Sequence, residues 1–197
     1  DFYNFNDLGD GKYGFGVADV SGKGIKSSLL MSKASSLYSC LSKTNFSPAS
    51  LLTQLNNEIC ETISRGMFVT MLVGIYDSNS KELLISNAGH EPPIILNDKS
   101  EFSNFNEAGP PLGIVEKTPY KEYNFKFDKS SMYIFTDGIT EIKNPEGEEL
   151  GSLGFQNYIT RFKDKPNNER LKLIIDNVLN SKYIQKDDLT IVVVDSK

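Results

Sequence analysis

The chain has 197 residues, a length that suits one domain with a sizeable core. Its hydrophobic content of 39% and charged content of 24% are those of an ordinary globular protein, and a net charge of -5 with no basic cluster argues against nucleic acid as a partner. No apolar run approaches the roughly 20 residues that span a bilayer, and the opening Asp-Phe-Tyr-Asn does not read as a signal peptide.

Asp1 to Phe5 reads as a short strand, Leu8-Gly9-Asp10-Gly11-Lys12 as turn chemistry, and Tyr13 to Ala18 as a second strand, so the chain opens on a hairpin. Asp1 and Asp19 lie nine residues either side of Asp10. A symmetric hairpin sets them opposite each other on one face, with Cα atoms about 4.5–5.5 Å apart. Two like charges so close are costly unless a cation lies between them. A one-residue bulge would spoil the register and leave Asp1 in solvent.

Ala18-Asp19-Val20-Ser21-Gly22-Lys23-Gly24 follows, a carboxylate at a strand end beside a glycine turn. Helical spacing then runs from Ile25 to Leu41, with Leu30, Ala34, Leu37, Tyr38 and Leu41 on one stripe. Ser47-Pro48 opens a second helix, with serine as N-cap and proline in the first turn; Leu52, Leu55, Ile59 and Ile63 form its buried face and Gly66 is expected to end it. Cys40 and Cys60 fall inside these helical patterns without metal-ligand spacing, and read as reduced structural thiols of a cytoplasmic protein.

Met67 to Tyr76 reads as a buried strand, Asp77-Ser78-Asn79-Ser80 as a turn, and Glu82 to Ala88 as the returning strand. Gly89-His90-Glu91-Pro92-Pro93 breaks the chain and Ile94 to Leu96 resumes it; strands joined by turns make an antiparallel sheet. Gly109 to Gly113 is a loop, Tyr123, Phe125 and Phe127 alternate as a half-buried strand, and Met132 to Phe135 is a buried strand ending in Thr136-Asp137-Gly138. Phe155 to Phe162 and Glu169 to Leu179 read as helices, and Thr190 to Val194 as the last strand, preceded by Asp187-Asp188. No repeat, low-complexity segment or linker interrupts residues 1–197, so one domain is expected.

Asp137 follows its strand and Asp187 precedes its own, so an antiparallel pairing would put both acids at one sheet edge. Together with Asp1 and Asp19 they form two pairs of carboxylates, each at one end of an antiparallel pair, and we read the four as sharing one metal site. With one histidine and no thiolate pair, zinc is disfavoured; carboxylate, carbonyl and water ligands suit Mg2+ or Mn2+. Two such ions, about 3.5–4 Å apart, can activate water for in-line attack on phosphorus. His90, in its Gly-His-Glu-Pro-Pro loop, reads as a turn histidine with structural hydrogen bonds. Rival phosphate chemistries fail on the same residues. A Walker A loop is not matched between Gly16 and Gly24, Phe135 stands where an aspartyl-phosphate enzyme has its second acid, and a serine nucleophile would have to rely on His90 alone.

The segments ADVSGKG (18–24), GMFVTMLVGIYD (66–77), NAGHEPP (87–93), GPPLGI (109–114), FTDGITEIKN (135–144) and DDLTIVVV (187–194) resemble those of the metal-dependent PPM phosphatases, in the bacterial SpoIIE/RsbU branch, and occur in family order over nearly the whole chain. The resemblance implies an α+β fold, a four-layer α-β-β-α sandwich of two antiparallel sheets flanked by helices. It implies a Mn2+- or Mg2+-dependent phosphoserine/phosphothreonine phosphatase using two metal ions, with a small anti-sigma-factor antagonist as the usual substrate. Asp19 would bridge both ions, the Val20 carbonyl and Asp1 would serve the second, and Asp137 and Asp187 the first; Asp19, Asp137 and Asp187 form the catalytic set. Asn4 stands where this branch commonly has an acid. A ligand at position 1 suggests the C-terminal catalytic part of a longer protein with an upstream sensor region, compatible with a homodimer. The other class to weigh is a catalytically silent regulatory or scaffold domain of the same fold; the presence of Asp19, Asp137 and Asp187 favours the enzyme.

Overall fold

The computed structural model describes residues 1–44, 47–63, 66–180, 185 and 187–196, with the backbone alone described at 104 and 180. In chain order the elements are β1 (Phe2–Gly9), β2 (Lys12–Val20), α1 (Ile25–Leu41), α2 (Pro48–Cys60), β3 (Val69–Asp77), β4 (Glu82–Ala88), β5 (Ile94–Leu96), β6 (Phe102–Asn104), β7 (Tyr123–Lys126), β8 (Ser131–Phe135), α3 (Asp137–Thr140), α4 (Gly151–Phe162), α5 (Asn167–Asn180) and β9 (Ile191–Asp195). They form two compact units, one made of Asp1–His90 and Asn106–Lys129 with Ser196, the other of Glu91–Phe105 and Ser130–Asp195. Each unit has one antiparallel sheet and its own helices.

The first unit carries the five-stranded sheet β1-β2-β3-β4-β7. Its hairpin turns at Asp10 and Gly11, with φ of 49° and 74°, a two-residue connection whose backbone twist matches that of the strands it joins. Phe2 pairs with Ala18 and Phe5 with Phe15; the turn itself pairs Gly9 with Lys12, and a one-residue shift between Asp7 and Gly9 sets the register of the rest of the ladder, starting with Asp7 opposite Tyr13. Leu30, Ala34 and Tyr38 of α1 and Leu51, Leu52, Leu55 and Ile59 of α2 pack with Ala18, Val69, Met71 and Val73 of the sheet in one core. Helix α2 starts as its residues dictate, Ser47 accepting from the Ser50 amide with proline next in line, but it ends at Cys60, short of Gly66, with Ile63 beyond its last turn.

The second unit carries the four-stranded sheet β6-β5-β8-β9. Ile94, Leu96, Tyr133 and Phe135 meet Phe155 and Ile159 of α4 and Ile174 and Val178 of α5 in a second core. Arg170 of α5 is buried against it, donating to both carboxylate oxygens of Asp195 at 2.9 Å and stacking over the Tyr133 ring at 5.4 Å. Three features depart from the sequence reading. Strand β6 is additional, α4 starts at Gly151 rather than Phe155, and Asp137, expected only to follow its strand, opens the single turn α3.

Candidate metal centre

Asp19 occupies the penultimate position of β2, half-buried, and Val20 closes the strand. Continuing the register that pairs Phe2 with Ala18 brings Asp1 opposite Asp19, the pairing expected, although the bulge between Asp7 and Gly9 and not a symmetric turn sets it. On the other side of β2, Asp19 pairs with Thr70 of β3. The turn after Val20 is tied to the start of β3: the Ser21 amide donates to the Phe68 carbonyl at 3.0 Å, the Phe68 amide donates to Ser21 Oγ at 2.8 Å, and Ser27 Oγ donates to the Ser21 carbonyl at 3.1 Å. Gly22 and Gly24 hold φ of 80° and 91°, which a side chain would strain. Asn4 has a structural role, its amide donating to Ser39 Oγ of α1 at 2.9 Å.

The second pair of acids lies in the second unit. Strands β8 and β9 pair antiparallel, Phe135 opposite Ile191, so Asp137 after β8 and Asp187 before β9 flank the same end of the ladder. Two hydrogen bonds extend that end, from the Thr136 amide to the Thr190 carbonyl and from the Thr190 amide to Thr136 Oγ1, both 3.2 Å. Asp137 is half-buried at the first position of α3, while Asp187 is exposed and accepts the Asp188 amide on Oδ1 at 2.9 Å. Gly138 packs directly under the 188 peptide, where a β-carbon would overlap the Asp188 carbonyl oxygen.

Glu91 is an acid that the sequence reading passed over. Its carboxyl is pushed up, first by burial and then by the negative charge of Asp137 and of Glu141. Three acids thus bear on this end of the second unit, a charge balance that a hard cation would offset. The donor set fits Mg2+ or Mn2+: carboxylates and a main-chain carbonyl, with no thiolate. Among the described residues, no three His, Cys, Asp or Glu side chains gather closely enough to hold a metal ion.

His90 makes the structural hydrogen bonds expected of it, and more. It is 4% exposed, and burial lowers its pKa to about 4, so the ring is neutral at pH 7. Asn87 clamps its main chain, accepting the His90 amide at 2.8 Å and donating to the His90 carbonyl at 3.0 Å. Nδ1 lies 3.1 Å from Thr70 Oγ1, whose hydroxyl also donates to the Asp19 carbonyl at 3.4 Å. Thr70 was not legible as a site residue, because a threonine inside an apolar strand reads as a β-branched packing residue. Among the described residues, no helix is long and apolar enough to cross a membrane.

Comparison with known proteins follows the same lines. The model of the stage II sporulation protein E (SpoIIE) family matches residues 9–197. The chain is 30% identical over 184 residues to the phosphoserine phosphatase RsbU of Bacillus subtilis (strain 168), covering 92% of this chain and 55% of that protein. The chain therefore spans about half the length of that relative. Among solved structures it resembles the SiaA-PP2C domain of Pseudomonas aeruginosa, with a TM-score of 0.81 at 19% identity over 98% of this chain and 79% of that one. It also resembles RsbX in complex with magnesium, with a TM-score of 0.69 at 17% identity over 98% and 84%. At these identities the structures establish a shared fold, two antiparallel sheets flanked by helices.

Proposed function

Because this chain belongs to the stage II sporulation protein E (SpoIIE) family, we propose that it is a metal-dependent serine/threonine protein phosphatase. Its substrate would be phosphoserine or phosphothreonine on a regulatory protein of the anti-sigma-factor-antagonist type. The observation that carries this reading is the paired delivery of acids, Asp1 in register with Asp19 and Asp137 flanking the same ladder end as Asp187.

Asp1, Asp19, Asp137, Asp187 and the Val20 carbonyl would hold two Mn2+ or Mg2+ ions. When bound, such ions supply positive charge for a phosphoryl group and a water activated for in-line attack. The chain's own part is placement. Strand pairing fixes the Asp19 backbone against Thr70 of β3, with the adjacent Ala18 paired to Phe2 of β1, and the Thr136–Thr190 hydrogen bonds hold the backbone from which Asp137 and Asp187 depart. We take the chain as the catalytic part of a longer protein, since it spans 55% of RsbU, with an upstream sensor region and a homodimer as further elements of the proposal. The free thiols of Cys40 and Cys60 suit a cytoplasmic setting.

The test is hydrolysis of an aryl phosphate and of a phosphoserine peptide with and without Mn2+. Chelation is expected to abolish turnover and Mn2+ to restore it; full turnover in excess chelator overturns the reading.

A further inference from the structure

We propose that Thr70 and His90 act as positioning residues for Asp19, with the Thr70 hydroxyl holding the Asp19 carbonyl and the His90 imidazole holding that hydroxyl in one orientation. The inference rests on reading Asp19 as a metal ligand.

Three observations within the first unit support it. Thr70 stands opposite Asp19 in the β2–β3 ladder, so its side chain reaches the Asp19 peptide from a fixed neighbouring strand. Thr70 Oγ1 contacts two groups, the Asp19 carbonyl at 3.4 Å and His90 Nδ1 at 3.1 Å. A threonine hydroxyl has one proton to give. If that proton goes to the Asp19 carbonyl, the oxygen must accept at its other contact, which requires a proton on Nδ1.

The third observation is the other ring nitrogen. His90 Nε2 is buried and, among the described residues, has no hydrogen-bond partner. A buried N–H is rarely left unpaired, and a bare lone pair is the less demanding of the two to leave there. The packing therefore favours the tautomer that the Thr70 bridge requires. The backbone that carries the imidazole is held in place. It is clamped on both sides by Asn87, and the preceding Gly89, at φ 68°, is packed so closely on Pro111 that a β-carbon there would stand 2.7 Å from Pro111 Cγ. Partners that orient metal ligands in this way typically change metal affinity by 10–100-fold when removed.

His90 is the chain's only histidine, so its ring nitrogens can be observed without ambiguity. The experiment is 15N NMR of the imidazole at pH 7 in the whole chain, combined with calorimetric titration of Mn2+ into the metal-free protein. The wild type is expected to show the Nδ1–H tautomer with unprotonated Nε2. Thr70→Val, which keeps shape and β-branching, is expected to disturb that tautomer and weaken Mn2+ binding at least about tenfold, with the metal-free melting temperature close to wild type. Thr70→Ser, which keeps the hydroxyl, should restore both. An Nε2–H tautomer in the wild type overturns the proposal and needs no variant to fold. So does wild-type Mn2+ affinity in Thr70→Val. Asp19→Asn in the same titration separates the two levels: if it binds Mn2+ like wild type, the metal-site reading fails and takes this inference with it; if it alone loses binding, only the positioning role fails.

Discussion

Gly138 offers a direct test of how the second pair of acids is placed. A β-carbon on Gly138 overlaps the Asp188 carbonyl oxygen and stands 3.1 Å from its carbon and 3.3 Å from Leu189 Cδ2. The obstacle is chiefly main chain, so no rotamer change relieves it. Carbon–oxygen contacts relax at about 3.3–3.6 Å, so Gly138→Ala must drive the 188 peptide away by about 1 Å. Asp187 is the residue next to that peptide, and its Oδ1 is bound to the Asp188 amide, so the carboxylate moves with it. Overpacking of this kind costs about 1–3 kcal/mol of stability. A ligand displacement of about 1 Å is enough for roughly a hundredfold loss of turnover. The assay is turnover of a phosphoserine peptide against Mn2+ concentration, with the melting temperature measured in parallel. Gly154→Ala is the comparison: there the intruded atoms belong to the movable Leu150 side chain, alanine is the better helix residue by about 1 kcal/mol, and turnover should be unchanged. A folded Gly138→Ala protein with wild-type turnover and Mn2+ response would refute the placement of Asp187 through this packing.

Asp19→Asn keeps the side chain's shape but removes its charge, and at least about a hundredfold loss of turnover is expected with the fold intact by circular dichroism. Arg170→Met leaves the Asp195 carboxylate largely buried without its guanidinium, and should lower stability by about 3 kcal/mol in urea titration; the double change with Asp195→Asn should recover part of that loss. His90 gives an acid-sensitive contribution. Its folded pKa, lowered by burial to about 4, lies below the ordinary 6.5, so the unfolded chain takes up the proton first; the stability it contributes is complete above pH 6.5 and is lost as pH falls toward 4. Between pH 7 and 5 that amounts to about 2 kcal/mol, read as the difference in urea unfolding between metal-free wild type and His90→Gln, and equal pH slopes in the two proteins would show that the ring is not buried neutral.

Much of the architecture is local and therefore legible in the residues themselves. The α1 stripe from Leu30 to Leu41 marks a helix whose bounds agree with the structure, because an apolar face repeating at helical spacing has few other ways to be buried. The Asp1–Asp19 pairing agrees with the count from Asp10 but for a different reason: the Asp10-Gly11 turn alone would set Asp1 opposite Val20, and the one-residue bulge between Asp7 and Gly9, expected to spoil the register, moves it to Asp19. What composition and spacing could not convey depends on residues far apart in the chain. Two nearer features were also hidden: strand β6 has three residues and exists through its pairing with β5, and α4 begins at Gly151, where Gly151 and Gly154, of low helix propensity, obscure its first turn. Gly138 reads as an ordinary turn glycine until β8 and β9 bring the 188 peptide against it. Thr70 is separated from Asp19 by 51 positions and from His90 by 20, and only strand pairing and the Asn87 clamp unite the three. The chemical types of the candidate residues were set by the sequence, which supplies carboxylates at strand ends; their placement was decided by the tertiary structure, because hydrogen bonds and contact distances belong to neighbours in space.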